Sequence, residues 1–229
     1  MKNLVIIPAY NEEGCILNTV QDIIDNAPDF DYVVVNDCST DNTRKVCRHN
    51  NVKFIDLPVN LGIGGAVQTG YRYAYYHGYD TAVQFDGDGQ HDAKYLKTML
   101  DKLTESGANM VIGSRFIEKK GFQSNSVRRV GINYFTGLIK LLTGKKITDP
   151  TSGLRMVDAK LIKYFAFNYP SDYPEPESAV TILARGNDII EVPVEMRHRQ
   201  AGKSSINLRK SIYYMIKVSI AMIIAKMKK

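Results

Sequence analysis

Two aspartates, Asp86 and Asp88, stand one glycine apart directly after an apolar run at residues 81–85. The run predicts a buried strand, so both carboxylates would lie just past its end, where open α/β sheets bind their ligands. A hard divalent cation prefers oxygen ligands and often takes one or two carboxylates together with substrate phosphates. The spacing therefore predicts an Mg²⁺ or Mn²⁺ site whose remaining ligands come from a diphosphate. For such a pair in isolation, a solvated acidic turn is the simpler interpretation, because Asp and Gly are common turn residues.

The elements that would position this pair are strands and helices in alternation. Apolar runs predict strands at residues 4–7, 32–35, 52–57, 81–85, 110–113 and 189–194. Helical spacing predicts helices over residues 13–26 and 93–105, two more that end near His49 and Tyr76, and another that carries Arg128 and Arg129 near its start. This alternation indicates an α/β fold with a doubly wound, mostly parallel sheet flanked by helices.

Length and composition fit one globular domain with a short appendage. The chain has 229 residues, of which 44% are hydrophobic, and we expect a domain over residues 1–207 followed by a helix over 208–229. Three cysteines without metal-ligand spacing indicate a reducing, cytoplasmic environment, and we expect no signal peptide ahead of the first strand. The net charge of +6 suits nucleic acid, a membrane surface or anionic small substrates.

The C-terminal segment, residues 206–229, is apolar with scattered lysines. Its apolar stretch, residues 212–225, contains Lys217 and is shorter than the ~20 apolar residues that cross a bilayer. Two interpretations stay open. The segment is an amphipathic helix at a membrane interface, anchored by Tyr213, Tyr214 and the terminal lysines, or it is an ordinary helix packed on the core.

Seven short motifs occur in a fixed order between residues 3 and 207: IPAYNEE (7–13), NDCSTD (36–41), NLG (60–62), DGDGQ (86–90), GSRF (113–116), DPTSGLR (149–155) and RQAGKS (199–204). With these motifs the chain resembles the family 2 glycosyltransferases of the Rossmann-like GT-A fold. The resemblance is strongest to the polyprenyl-phosphate sugar synthases, such as dolichyl-phosphate mannose synthase. It implies an inverting, metal-dependent enzyme that moves a sugar from a nucleoside diphosphate to a polyprenyl phosphate.

The same resemblance assigns the donor side of the site. A UDP- or GDP-linked sugar would be bound by Pro8, Ala9, Tyr10, Glu12, Asp37, Asn60, Asp86 and Gly87. Carboxylates suit this task because they accept hydrogen bonds from a base N–H and from ribose hydroxyls. Asp86 and Asp88, with Gln90 as a third ligand, would hold the metal, and Asp88 also counts as catalytic. We interpret the neighbouring His91 as a supporting or surface residue rather than a ligand.

The acceptor side follows from the chemistry of a phosphate monoester, whose second pKa of ~6 leaves its oxygen anionic without a strong general base. Cationic positioning matters instead, and the stretches that match the family supply Arg115, Arg129, Arg199 and Lys203. A hydroxyl acceptor would need a carboxylate base, for which Asp149 is the candidate.

The sequence departs from the polyprenyl synthases in two respects. Many of them have serine where this chain has Ile132 or Asn133, and many bacterial relatives have membrane-spanning helices after the catalytic domain. We expect this chain to reach its lipid at the inner face of the cell membrane, either through the C-terminal helix or through a small membrane-anchoring subunit.

Other functions remain to be weighed. The first is a transferase of the same family that extends a cell-surface polysaccharide or glycolipid on a hydroxyl. A sugar-1-phosphate nucleotidyltransferase would need a basic, glycine-rich loop near the N-terminus, whereas the only charged residues at 8–15 are acidic. The glycines at 60–65 match neither a dinucleotide-binding fingerprint nor a P-loop. A non-catalytic nucleotide-binding or scaffold protein is the remaining class, since basic residues interleaved with acidic motifs argue against nucleic acid. The sugar, the nucleotide and the oligomeric state, including a homo-oligomer, stay open.

Overall fold

The computed structural model describes residues 1–121, 126–172, 174–197 and 208–228, with only the backbone considered at 126–128 and 208–212. Its centre is a seven-stranded sheet in the order β3-β2-β1-β4-β6-β5-β7. The strands are β1 (Asn3–Ala9), β2 (Phe30–Asn36), β3 (Phe54–Asp56), β4 (Thr81–Gln84), β5 (Met110–Ser114), β6 (Arg155–Asp158) and β7 (Ile189–Pro193). All pairings are parallel except those of β6, which runs antiparallel to β4 and β5.

Helices cover both faces of the sheet, which confirms the predicted α/β class. They are α1 (Ile16–Asn26), α2 (Thr43–His49), α3 (Gly62–Tyr76), α4 (Tyr95–Ser106), α5 (Ser126–Thr143), α6 (Ala159–Phe167), α7 (Pro174–Ala184) and α8 (Leu208–Met227). Strand β1 shows how the two cores form, because successive side chains point to opposite faces. Leu4 and Ile6 join the core that includes residues of α3 and α6, whereas Val5 and Ile7 join the core that includes residues of α1 and α4.

Three elements in the second half were absent from the sequence prediction: β6, α6 and α7. Helix α6 had a readable signal, since Asp158 at its N-cap accepts a hydrogen bond from the Leu161 N–H at 2.8 Å. Helix α7 was obscured by Pro174 and Pro176, although proline is tolerated in the first turn, where the missing N–H has no intrahelical partner.

The C-terminal helix α8 is packed against α5 and α7, with Val218 and Met222 fully buried in the core. On this inner face, α8 is packed as an ordinary core helix would be. No helix in the described parts of the chain combines the length and apolar character needed to cross a membrane. The division expected at residue 207 falls outside the described residues and stays a prediction.

Candidate active site

One cleft of about 540 Å³ opens where β1, β2 and β4 end. It is lined by Pro8, Ala9, Tyr10, Glu12, Asp37, Asn60, Gly62, Ile63, Ala66, Asp86, Gly87, Asp88 and Glu175. Every residue predicted for nucleotide binding is in this lining, together with Asp88. The fold brings them together because the carboxyl ends of neighbouring parallel strands share one edge of the sheet.

The wall beside β2 is fixed around Asp37, which is 3% exposed. Its Oδ1 accepts from the Leu61 N–H at 2.7 Å, and its carbonyl oxygen accepts from Asn60 Nδ2 at 3.1 Å. Asn60 Oδ1 in turn accepts from the Gly62 N–H at 3.1 Å, where Gly62 adopts a φ of +74° that glycine takes without strain. The Asp37 carboxylate is thereby held against the start of α3.

The loops after β1 and β2 are joined by Asn11, a motif residue to which the sequence analysis gave no role. Its backbone N–H donates to Ser39 Oγ at 3.0 Å, and its Oδ1 accepts from the Thr40 N–H at 2.8 Å. The Glu12 N–H likewise donates to Thr43 Oγ1 at 2.9 Å. These contacts fix the backbone that presents Tyr10 and Glu12 to the cleft.

Asp86 is enclosed by protein on one side and 35% exposed to the cleft on the other. Its Oδ2 lies 3.2 Å from Nε2 of His91, and its Oδ1 accepts from Gln84 Nε2 at 3.3 Å. Burial alone would raise the pKa of Asp86, but His91, Gln84 and the Arg115 charge outweigh it and hold that pKa below its ordinary value. Gly153 packs so closely that a Cβ there would lie 2.7 Å from Asp86 Oδ2.

His91 supports Asp86 from behind, as we interpreted it. The ring is 2% exposed and packs edge-on against Phe85. Its Nδ1 has no hydrogen-bond partner among the described residues. The His91 ring therefore orients the Asp86 carboxylate, which lines the cleft. The ring itself is not part of the cleft lining.

The acids suit a cation that shares its coordination with a ligand. Within the described ranges, no cluster of three or more His, Cys, Asp or Glu side chains could enclose a metal on its own. Two carboxylates at a cleft are what a divalent cation uses when phosphate oxygens supply other ligands. Gln90, the predicted third ligand, donates its backbone N–H to Asp88 Oδ1 at 3.0 Å, while its Nε2 lies 3.4 Å from the Arg197 carbonyl oxygen. Its side chain is thus directed toward the segment after β7 in this conformation.

Arg115 and Asp149, predicted as phosphate ligand and general base, are paired with each other. Asp149 is 0% exposed and Arg115 is 4% exposed. Guanidinium Nε donates to Oδ2 and Nη2 to Oδ1, both at 2.6 Å. Neither side chain can contact a substrate in this conformation, because both are buried and each is the other's ion-pair partner. The structure therefore does not support a direct catalytic contact for either residue.

The remaining acceptor residues are only partly described. Arg129 is exposed on α5, with its guanidinium carbon 5.7 Å from the ring centre of Phe116. The guanidinium carbon of Arg115 also lies near that ring, 5.2 Å from its centre. Arg199 and Lys203 lie outside the described residues. At the two positions where many polyprenyl synthases have serine, this chain has Ile132, which is buried, and Asn133, which is exposed.

Sequence reasoning missed one carboxyl group of the cleft, Glu175, which comes from the first turn of α7. Burial raises its pKa, and the nearby charge of Asp86 adds to that effect while Arg155 opposes it. The clue in the sequence was an acid between two prolines, in a stretch to which no helix had been assigned.

A family model described as Glycosyl transferase family 2 matches residues 4–165. The chain belongs to this family. It is a glycosyltransferase, and the resemblance read from its motifs is confirmed.

Relatives of this glycosyltransferase include enzymes named for lipid phosphates. The UDP-N-acetylglucosamine–dolichyl-phosphate N-acetylglucosaminyltransferase of Methanococcus voltae is 32% identical, over 83% of this chain and 84% of that protein. The undecaprenyl-phosphate mannosyltransferase of Micrococcus luteus is 28% identical, over 90% and 88%. Glucosyl-3-phosphoglycerate synthase from Mycobacterium tuberculosis, solved with Mn²⁺, UDP and glucosyl-3-phosphoglycerate, superposes with a TM-score of 0.73 over 98% of this chain and 79% of that one. At 17% identity this last likeness bears on the fold alone, and it agrees with the GT-A fold.

Proposed function

We propose that this glycosyltransferase moves a sugar from a UDP- or GDP-linked donor to a polyprenyl phosphate, with inversion, at the cytoplasmic face of the membrane. The observation that carries the proposal is the cleft, whose lining contains both the residues predicted to bind the nucleotide and the Asp86–Asp88 pair. The names of the relatives from M. voltae and M. luteus support the acceptor class.

On the donor side, Asp37 and Glu12 are the groups that accept hydrogen bonds from the base and the ribose. Both line the cleft, and Asp37 is already oriented by the Leu61 N–H. Pro8 and Ala9 end strand β1, where β1 pairs with the end of β2. A nucleoside laid across these strand ends would leave its diphosphate near Asp86 and Asp88.

Asp86 and Asp88 would hold Mg²⁺ or Mn²⁺ against that diphosphate. The cation, when bound, supplies Lewis-acid stabilisation of the charge that develops on the departing nucleoside diphosphate. Asp86 suits this role because its lowered pKa keeps it ionised and because His91 and Gln84 fix both of its oxygens.

On the acceptor side, an anionic phosphate fits the described residues better than a hydroxyl. Asp149, the base that a hydroxyl would need, is inaccessible in its ion pair with Arg115. Arg129 stays exposed beside Phe116 and can meet a phosphate from solvent. We assign to Arg115 and Asp149 the positioning of the loop after β5, and Arg199 and Lys203 remain proposed phosphate ligands.

The outer face of α8 offers contact with the membrane. Opposite its buried face, the helix exposes one stripe of large apolar side chains: Tyr213, Ile216, Ile220, Ile223, Ile224 and Met227. Helix α5 lies alongside, where Tyr134 Oη and Ser219 Oγ are 3.0 Å apart, and adds exposed Val130, Tyr134 and Leu141. A contiguous apolar surface with lysines nearby is typical of interfacial helices on anionic leaflets. Direct contact is our proposal, and a small membrane subunit is the alternative occupant.

Release of nucleoside diphosphate tests this function. The protein is incubated with UDP- and GDP-sugars, with or without Mn²⁺, and with a short polyprenyl phosphate or the matching polyprenol. We expect release that requires both the metal and the phosphorylated lipid. Release that is equal with the polyprenol would refute a phosphate acceptor.

A further inference from the structure

We propose that Glu175 contacts a hydroxyl group of the transferred sugar and so helps to determine which donor this glycosyltransferase accepts. The inference rests on the proposed function, since it assumes a nucleotide sugar in the cleft. It adds a residue to which neither the sequence motifs nor the comparisons assign a role.

The backbone that carries Glu175 is held firmly. Arg155, which is 1% exposed, donates from Nη1 to the Glu175 carbonyl oxygen at 2.5 Å and from Nη2 to the Pro150 carbonyl oxygen at 2.7 Å. The Ser178 hydroxyl donates to the same Glu175 oxygen at 3.1 Å. The first turn of α7 is thereby tied to the 149–155 motif that also contains Gly153, the close neighbour of Asp86.

The side chain of Gln84 lies near both Glu175 and Asp86. Tyr169 donates its hydroxyl to Gln84 Oε1 at 3.2 Å, which leaves the amide Nε2 to face the acids. That nitrogen donates to Asp86 Oδ1 at 3.3 Å, and both Gln84 and Asp86 lie near enough to the Glu175 carboxyl to influence its pKa. The two carboxyl groups therefore belong to one neighbourhood of the cleft, whose lining includes both residues.

Its place in the lining beside Asp86 puts Glu175 where the donor sugar would be. The sugar is bonded to the terminal phosphate of the nucleotide, and that phosphate would sit at Asp86 and Asp88. Among the described residues, five acids line the cleft: Glu12, Asp37, Asp86, Asp88 and Glu175. The first two face the nucleoside and the next two the diphosphate, so Glu175 is the acid left for the sugar.

The chemistry of Glu175 suits a sugar hydroxyl. A carboxyl group accepts hydrogen bonds from hydroxyls, and its raised pKa also favours the protonated form that can donate one. A partly buried group that loses its partner pays a desolvation cost, which is how sites built to bind a hydroxyl discriminate against donors without it.

The test compares binding of whole donors with binding of their nucleotides. Wild-type protein, Glu175→Ala and Glu175→Gln are titrated calorimetrically, in Mn²⁺, with UDP-N-acetylglucosamine and GDP-mannose and with UDP and GDP. Glu177→Ala, which removes the next acid of the same helix and lies outside the cleft lining, is the matched control. We expect Glu175→Ala to weaken binding of the preferred nucleotide sugar by about 10- to 100-fold and to leave binding of its free nucleotide unchanged.

Glu175→Gln should lose less affinity than Glu175→Ala, because its amide oxygen still accepts from a hydroxyl. A nucleotide sugar that lacks the contacted hydroxyl should bind wild type and Glu175→Ala equally well. Equal weakening of free nucleotide and nucleotide sugar would overturn the inference, since Glu175 would then act on the diphosphate. Unchanged binding of every ligand by Glu175→Ala would also overturn it. If wild-type protein binds neither nucleotides nor nucleotide sugars, the proposed function fails and the inference with it.

Discussion

Arg115 and Asp149, 34 positions apart in the chain, form a bidentate ion pair in the protein interior, with both N···O distances at 2.6 Å. The Arg115 N–H donates to the same carboxylate at 3.2 Å, and Thr151 Oγ1 accepts from Arg115 Nη2 at 3.0 Å. The pair therefore joins the end of β5 to the 149–155 motif. Since Gly153 of that motif packs on Asp86, the ion pair supports the proposed metal site indirectly.

Removing one partner of this pair should destabilise the protein severely. Arg115→Ala leaves the buried Asp149 carboxylate without its counterion, and such changes cost roughly 3–5 kcal/mol of the free energy of unfolding. Urea unfolding followed by circular dichroism measures the loss. The control is Lys97→Ala, which breaks an exposed pair with Asp101 on α4 and should cost less than about 0.5 kcal/mol.

A different result would restore the role first read from the sequence. If Arg115→Ala keeps the wild-type free energy of unfolding while transfer to the acceptor is lost, Arg115 acts on the substrate directly and the positioning role is wrong.

Gly153→Ala should impair metal-dependent nucleotide binding. The new Cβ would come within 2.7 Å of Asp86 Oδ2, so the carboxylate must move from its place between His91 and Gln84. We expect weaker binding of UDP or GDP in Mn²⁺ and little change in metal-free binding, measured by calorimetry. Gly137→Ala, on α5 with open space around its Cβ, is the matched control and should bind as wild type does. Wild-type affinity in Gly153→Ala would show that the exact place of Asp86 does not matter.

Arg129→Ala should affect the acceptor and spare the donor. Loss of a charge-assisted contact costs about 1.5–3 kcal/mol, which corresponds to a rise of roughly 10- to 150-fold in the KM for polyprenyl phosphate. Steady-state kinetics with each substrate varied in turn separates the two effects, and Arg48→Ala, an exposed arginine of α2, serves as control. A rise in the donor KM instead would assign Arg129 to the diphosphate.

The stripe on α8 should determine membrane binding without determining the fold. Ile216→Glu combined with Ile220→Glu places two charges on the exposed face. Each of these isoleucines would otherwise contribute up to about 1.5–3 kcal/mol to the free energy of membrane binding when lipid buries it. We expect the double variant to lose co-sedimentation with anionic vesicles and to keep the wild-type Tm.

Ile24→Glu changes an equally apolar, 47% exposed residue on α1 and should bind vesicles as wild type does. High salt should weaken wild-type binding, because the lysine contribution is screened. If wild-type protein ignores vesicles altogether, the stripe faces a protein subunit rather than lipid.

The cleft could be predicted because its residues follow strand ends in local motifs. Asp37 directly follows β2 and Asp86 stands two residues after β4, and parallel pairing brings such positions together whatever the details of packing. The second half of the chain was harder. Asp149 is a plausible base in isolation, and only its tertiary pairing with Arg115 removes it from the cleft. Glu175 enters the site through a helix that two prolines concealed.

Helix α8 shows the same limit in another form. Its apolar residues surround the helix, so periodicity alone could not choose between a core helix and an interfacial one. Packing resolves the ambiguity on one side only, since Val218 and Met222 are buried while Ile216 and Ile220 are exposed. The occupant of the exposed side is a matter for the vesicle experiment.

The identity of the lipid product tests the central claim most directly. Wild-type protein and Asp88→Asn are incubated with Mn²⁺, a panel of UDP- and GDP-sugars and a short polyprenyl phosphate, and the extracted lipid is analysed by mass spectrometry. We predict a species heavier than the acceptor by one sugar residue, formed with one donor of the panel. Its rate of formation should fall on the order of 10²–10³-fold in Asp88→Asn, since an electrostatic contact to the departing diphosphate is lost. Unmodified polyprenyl phosphate with every donor, or equal product from Asp88→Asn, would contradict the account.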